Sequence, residues 1–504
     1  MNLLMDDWIP IQLEGVFKRI SLKALLTEDE NWQISLPRDD MEMACLQLLV
    51  SLTQVLFIPE NKIAFLERIA TPISGDEYSN GIEGKVDWFD LDHPEHPFMQ
   101  TRGVETEKIN PMMKLFAGFT ESTSSAFVNE PGLADLLCPS CAVIGLFNQA
   151  NNCASFCGGA KGSIRGNYKQ GELKSGVPIT TFIQGDGLRK TIWMNVLSQE
   201  SFDKYLYISG KKEDFPNWVD TVRTTGKKNS IKQGEDELLG EMGLLRGLFW
   251  QPQHIELIPI NGLNICNCCG TKINLEGYSG FKFEKFSYKY LGFWMHPHSP
   301  SKWEIKKGEK QFGYISFSTH APPWSQLSGF LLEKETEKDG HTPSFVVSQF
   351  KEVFQGKNLK LIVGGYWIKP GKASIVERRH EILNLASGWD ENSKIIIRIV
   401  DTGLAYKIEL RKKLYGFFKA TGASLQDQAE HNFYKQTEFL VHSMLRDMDF
   451  KESKTAFSDY HQKLRVTTRN IFKQITEPYQ NEPKMIKALA IARRGLEKSL
   501  NELD

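Results

Sequence analysis

No run of eighteen apolar residues occurs anywhere in this 504-residue chain, so no membrane-spanning helix is expected. Charge of one sign is lacking too: 61 Lys and Arg against 62 Asp and Glu leave a net charge of −1. Any nucleic-acid contact must therefore come from local patches, not from a basic coat. The opening MNLLMDDWIPIQLEG carries acids where a secretion signal is basic, so a cytoplasmic protein is expected. Catalytic motifs are missing: there is no Gly-x-Ser-x-Gly, no His-Glu-x-x-His and no Walker sequence. Cysteine is scarce, with eight in all, and apart from Cys45 they gather at 138–157 and 266–269. In a large chain without a secretion signal, such pairs point to metal rather than disulfides. What remains, 41% hydrophobic and 24% charged, is a globular chain long enough for about three domains.

The most informative stretch is 126–166, AFVNEPGLADLLCPSCAVIGLFNQANNCASFCGGAKGSIRG. It combines a turn-rich approach, a Cys-x-x-Cys pair (Cys138, Cys141) and a glycine-rich loop containing Gly158, Gly159, Lys161 and Arg165. A second pair, Cys266 and Cys269, follows far along the chain. Two thiolate knuckles can complete a tetrahedron around one structural Zn²⁺, each sulfur about 2.3 Å from the ion. Cys268, or Cys153 with Cys157, offer alternative ligands, and buried free thiols would account for the same residues. Four thiolates leave no open position for catalysis.

Taken in order, residues 35–40 read as a helix start ahead of a run apolar nearly all round, which suits a buried helix. Residues 74–111 are turn-rich and hold His93 and His96, three apart but without an evident third ligand. Residues 177–200 predict a strand, a turn at 185–187 and a further strand or helix. Residues 243–260 read as an apolar strand-like run, and 281–370 as sheet with hairpins. From 373 onward the apolar spacing reads as helical, beginning with Ile375, Val376, Ile382 and Leu383, with a cap at Ser424 and Asp427. The fold class expected is α+β: a mixed domain over 1–372 with a zinc knuckle, then an antiparallel four-helix bundle over 373–504.

Two basic features could meet phosphates. The 158–166 loop fails Walker spacing, but its glycines with Lys161 and Arg165 would let backbone approach a groove; a plain surface loop explains it equally. The stretch 281–290 carries Lys282, Lys285 and Lys289 among aromatics, and an ordinary exposed strand face explains that pattern as well.

Ordered motifs then add a resemblance: LLMDDWIPI, SLPRDDMEMA, HPFMQTRG, AFVNEPG, LFNQANN, VPITTF, RGLFWQPQHIEL, HPHSP and GGY…ASIVERRHEIL. Together, over nearly the whole chain, they resemble the CasA family, the large subunit of the type I-E CRISPR complex Cascade. The resemblance implies a non-catalytic subunit that reads the protospacer-adjacent motif of duplex DNA from the minor groove. It also implies help in parting the strands for R-loop formation and in recruiting a separate helicase-nuclease. Partners implied are target duplex, the 5′ end of the guide RNA, the other Cascade subunits and that nuclease. By the same resemblance the glycine loop falls on Gly158 and Gly159, the lysine finger on Lys285, and the guide-RNA and motif loop on Phe127 and Asn129. Where the family carries a glutamine before ASI, this chain has Lys372 in a Lys369-Pro-Gly-Lys372 tip, so wedging by bulk and phosphate attraction is expected there. A zinc knuckle is also a family feature. Two other readings compete, a zinc-dependent nuclease using His93, His96 or His296, and a scaffold that binds only protein.

Overall fold

The computed structural model describes the chain apart from residues 117–131, 133, 154, 157–159, 162, 163, 166, 170, 171, 176, 206–213, 220–236, 239–241, 274, 275, 285–289, 292, 318–320, 369–374 and 504. It divides into two compact units: residues 1–318, 333–353 and 362–380, and residues 319–332, 354–361 and 381–504.

The larger unit is built around two helices that bury almost every face. Helix Asp39–Leu56 has no side-chain cap, but Asp39, Asp40 and Glu42 sit in its first turn, where carboxylates meet the positive end of the helix dipole. Nearly every residue from Met41 to Leu56 is buried, with Gln47, Ser51 and Gln54 included beside the apolar ones, so the helix lies in the interior. Helix Pro139–Asn152 packs against it and is buried from Ser140 to Asn151, with Pro139 at the first position, where a missing N–H costs nothing. Phe147 at its centre, Phe249, Phe281, Trp193 and Trp218 belong to one continuous core.

Several small sheets belong to the chain as well. Strand Ile9–Leu13 forms an antiparallel hairpin with Val16–Ile20, closed by Glu14 and Gly15, both at positive φ. Strand Glu276–Glu284 lies between His254–Asn261 and Ile109–Pro111, all antiparallel, with Leu257 opposite Phe281 and a register shift at Ile258 and Pro259. A four-stranded antiparallel sheet orders Glu309–Tyr314, Ser301–Lys306, Asp339–Thr342 and Lys334–Glu335. A third sheet places Leu359–Ile368 between Ile375–Leu385 and Thr180–Ile183.

The smaller unit holds four long helices: Ser393–Thr421, Gln426–Arg446, Ser453–Thr476 and Pro483–Asn501. Short connections make successive helices antiparallel. In the first of them Ile399, Gly403, Tyr406, Leu410, Leu414 and Phe417 are buried, three or four apart along a single stripe. Gly403 is a point of close helix approach: a Cβ there would stand 3.1 Å from the Tyr460 hydroxyl. The α+β class and the C-terminal bundle are as expected from the sequence.

Local readings fail in three places. Ile375, Val376, Ile382 and Leu383 lie on a strand, Ile375–Leu385, and helix begins only at Ser393. Their apolar spacing suits either state, and pairing with Leu359–Ile368 decides it. Ser424 does not cap the next helix: Leu425 is the cap residue, and the Ser424 hydroxyl donates to Gln426 Oε1 at 3.1 Å. The expected strand over 243–260 contains a helix, Leu244–Leu248, before strand His254–Asn261. In the turn-rich 74–111 stretch, Ser74 caps a helix, Gly75–Ile82.

Candidate metal centre

Cys138 is the cap residue of helix Pro139–Asn152, and its Sγ accepts the Cys141 backbone N–H at 3.5 Å. A Cys-Pro-Ser-Cys sequence at a helix start thus turns two sulfurs to one side, one before and one within the first turn. The second knuckle is a hairpin tip: Asn264 pairs with Ile273 and Ile265 with Lys272. Between them Cys266 N–H donates to Thr271 O and Gly270 N–H to Cys266 O, both at 2.9 Å. Gly270, at φ +72°, supplies the left-handed residue that closes the tip.

Backbone holds the knuckles together. Asn267 N–H donates to Leu136 O at 2.9 Å, and Leu136 N–H to Asn267 Oδ1 at 2.7 Å. Leu137 and Tyr278 exchange a further reciprocal pair at 3.0 and 2.9 Å. The result brings Cys138, Cys141, Cys266 and Cys269 together with all four sulfurs within 4.8 Å of one another. Cys138 Sγ and Cys269 Sγ are 3.7 Å apart. Sulfurs 2.3 Å from one tetrahedral ion stand about 3.8 Å from each other, so this donor set fits a Zn(Cys)₄ site. Of the alternative ligands, Cys153 packs instead with Val177, Tyr366 and Ile368, Cys268 lies outside the four, and Cys157 falls outside the described residues.

The four sulfurs perturb one another in opposite directions, Cys266 and Cys269 toward thiolate and Cys138 and Cys141 toward thiol. Hydrogen bonds from Cys138 and Cys141 draw the Cys266 thiol down to about 6, and the same two, with Cys266, pull Cys269 down. Cys141 is pushed up by contacts with Cys138 and the other cysteines. Cys138 is lowered by its bond with Cys141, but contacts with Cys266 and Cys269 and burial carry it upward overall. Arg19, from the N-terminal hairpin, completes the surroundings: its Nη2 donates to Cys138 Sγ at 3.0 Å and to Cys269 Sγ at 3.5 Å. Burial alone would lower the Arg19 guanidinium, yet the sulfurs of Cys138, Cys269 and Cys141 outweigh it and hold it above its usual value. The Thr271 hydroxyl lies 3.2 Å from Cys269 Sγ. Neither Arg19 nor Thr271 was foreseen; Arg19 is 119 residues from Cys138, and no local pattern marks it.

The remaining expected site residues lie mostly outside the description: Phe127, Asn129, Gly158, Gly159, Lys285, Lys369 and Lys372 fall among the residues not described. Lys161 belongs to the short strand Ala160–Lys161, with Ser155 opposite it, a pairing that brackets 157–159. Arg165 corrects the phosphate reading of its loop. It is 1% exposed and donates to Asn151 O, Thr180 Oγ1 and Ser299 Oγ, so it anchors the loop from within and cannot reach phosphate. Burial lowers its pKa to about 10.

The histidines of the nuclease reading make contacts within the chain. The His93 and His96 rings stack with centroids 3.7 Å apart, and His93 Nδ1 accepts the backbone N–H groups of Glu95 and His96. His296 is buried and its Nδ1 accepts the His298 N–H.

The model of the CRISPR-associated protein Cse1 family matches residues 2–471. Among solved structures, Thermobifida fusca Cse1 is similar at a TM-score of 0.73 and 17% identity, over 99% of this chain and 98% of that one. Thermus thermophilus CasA gives 0.71 and 18%, over 100% of this chain and 99% of that one. A chain of a CRISPR RNA-guided surveillance complex gives 0.65 and 14%, over 99% of each. At these identities the structures speak for the fold, while the family match spans nearly the whole sequence. The chain belongs to the CRISPR-associated protein Cse1 family, the CasA large subunits of type I-E Cascade that its ordered motifs resemble.

Proposed function

We propose that the protein is the non-catalytic DNA-recognition subunit of an RNA-guided surveillance complex. It reads the protospacer-adjacent motif of duplex DNA from the minor groove, promotes strand separation and helps recruit the helicase-nuclease. The observation that best supports this reading is the four-cysteine cluster and what leaves it. Helix Pro139–Asn152 runs from Cys138 toward the segment of Gly158, Gly159 and Lys161, and strand Glu276–Glu284 runs from the second knuckle toward Lys285. Both reading segments therefore depart from elements pinned at one point. The helix is about 20 Å long and the strand about 30 Å, so a zinc ion there would work as a remote anchor, not as a contact. A closed four-thiolate site also has no position to offer a substrate, which favours the non-catalytic reading.

In this role Phe127 and Asn129 meet the guide RNA's 5′ end and the motif region, and Lys369 and Lys372 flank a tip that wedges the duplex. The test is a gel-shift series on the complex assembled with guide RNA, using duplexes that differ only in the adjacent motif. Selective retention is expected, steeply weakened by salt. Lys285→Ala should reduce it, and the Cys138→Ser, Cys266→Ser double variant should lose motif preference while the bundle still folds. Equal retention of all duplexes would leave a protein-only scaffold, and degradation of the probe would leave a nuclease.

A further inference from the structure

Within the smaller unit, which takes in strand Ile375–Leu385 only from Glu381 onward, Glu381 meets Glu438 and His442 of helix Gln426–Arg446, with one potential ligand atom from each within 4.8 Å of the others. Glu438 and His442 are four apart, so they project from the same face of their helix one turn from each other. The Glu381 side chain is only 9% exposed. Its Oε1 meets His442 Nε2 at 2.5 Å, but its second oxygen, Oε2, is buried with no hydrogen-bond partner among the described residues.

A plain histidine–carboxylate pair accounts for Oε1 and nothing else. It leaves a buried carboxylate oxygen without a donor, which is costly, and it adds a second carboxylate, Glu438, whose charge repels the first. A cation among the three removes both difficulties at once. We propose that Glu381, Glu438 and His442 form a second metal site, for a divalent transition ion of the zinc type. Magnesium and calcium favour all-oxygen shells, whereas one imidazole with two carboxylates suits zinc and its neighbours. Tetrahedral ligands about 2.1 Å from an ion stand about 3.4 Å apart, a spacing that lies between the 2.5 Å of the Glu381–His442 contact and the 4.8 Å limit of the group. Glu438 is exposed, so the ion enters from solvent and keeps a water in its remaining position. Binding ties the strand to the middle of the helix and takes His442 as the neutral imidazole, with any proton it carries released. The cysteine cluster plays no part, since it belongs to the other unit.

The full chain is saturated with Zn²⁺, freed of excess by gel filtration and assayed for bound zinc, with calorimetry following the titration. Wild type should hold one equivalent more than either His442→Ala or Glu438→Gln, or bind that equivalent at least about tenfold more tightly. Glu438 is exposed, so Glu438→Gln keeps the fold and carries the test if His442→Ala unfolds. Equal zinc content and affinity in wild type and Glu438→Gln, at whatever stoichiometry, would overturn the site.

Discussion

Arg19 shows how one residue can settle the character of a site that others define. A Zn(Cys)₄ group carries two formal negative charges in partly buried surroundings, and the Arg19 guanidinium, half-lodged among the sulfurs, offsets one of them. N–H donors on thiolate sulfur also reduce its readiness to take up a proton, and protonation is the first event in metal loss. Arg19→Ala should therefore speed zinc transfer to a chromophoric chelator by about tenfold to a hundredfold, with Arg19→Lys between it and the wild type. An unchanged transfer rate would mean that the contact is packing alone. Arg165 makes the opposite point. Its sequence context, among glycines beside Lys161, matches a phosphate-binding loop, but internal acceptors hold its side chain inside.

At the scale of elements, close approach matters more than propensity. Helix Leu244–Leu248 lies against Trp294 so tightly that a Cβ on Gly247 would stand 2.0 Å from the indole ring. Gly247→Ala should therefore cost about 1–3 kcal/mol by overpacking, visible as a lower urea midpoint. Gly416 is the control, an exposed glycine inside helix Ser393–Thr421 with none of the described residues within 4 Å of its would-be Cβ. Gly416→Ala should instead stabilise the chain by about 1 kcal/mol, since helix propensity is then the whole effect. The hairpin tip at the four-cysteine cluster follows the same logic: Gly270, at positive φ, and the Asn267 side-chain acceptor shape its turn.

Across the whole molecule, buried histidines set a limit on acid stability. Burial draws His254 down to about 4 and His298 down to about 3, and it lowers His296 in the same sense. Above about pH 6.5 these rings are neutral both folded and unfolded, and they contribute nothing to pH dependence. Below it the unfolded chain takes up protons that the folded chain refuses, so stability falls as pH drops from about 6.5 toward the folded values. Each such ring costs about 1.4 kcal/mol per pH unit within that window. Urea denaturation at about pH 7 and about pH 5 should show wild type losing more stability than His254→Gln; identical losses would show that His254 ionises freely in the fold.

Some of this was written in the chain itself. Two Cys-x-x-Cys pairs name a tetrahedral thiolate site, because ligand type and spacing are local properties. A run apolar nearly all round names a buried helix, and apolar stripes repeated over long segments name a bundle, because both depend on period. The family came from a resemblance of ordered motifs, and the family match over residues 2–471 agrees with it. Which state an ambiguous apolar run takes was not local, and pairing with Leu359–Ile368 made 375–385 a strand. Nor was the choice of Cys269 over Cys268, the placing of Arg19 against the sulfurs, the burial of Arg165, or the meeting of Glu381 with His442. Each of those depends on atoms brought together from distant parts of the chain, and proximity of that kind exists only after folding has closed the intervening loops.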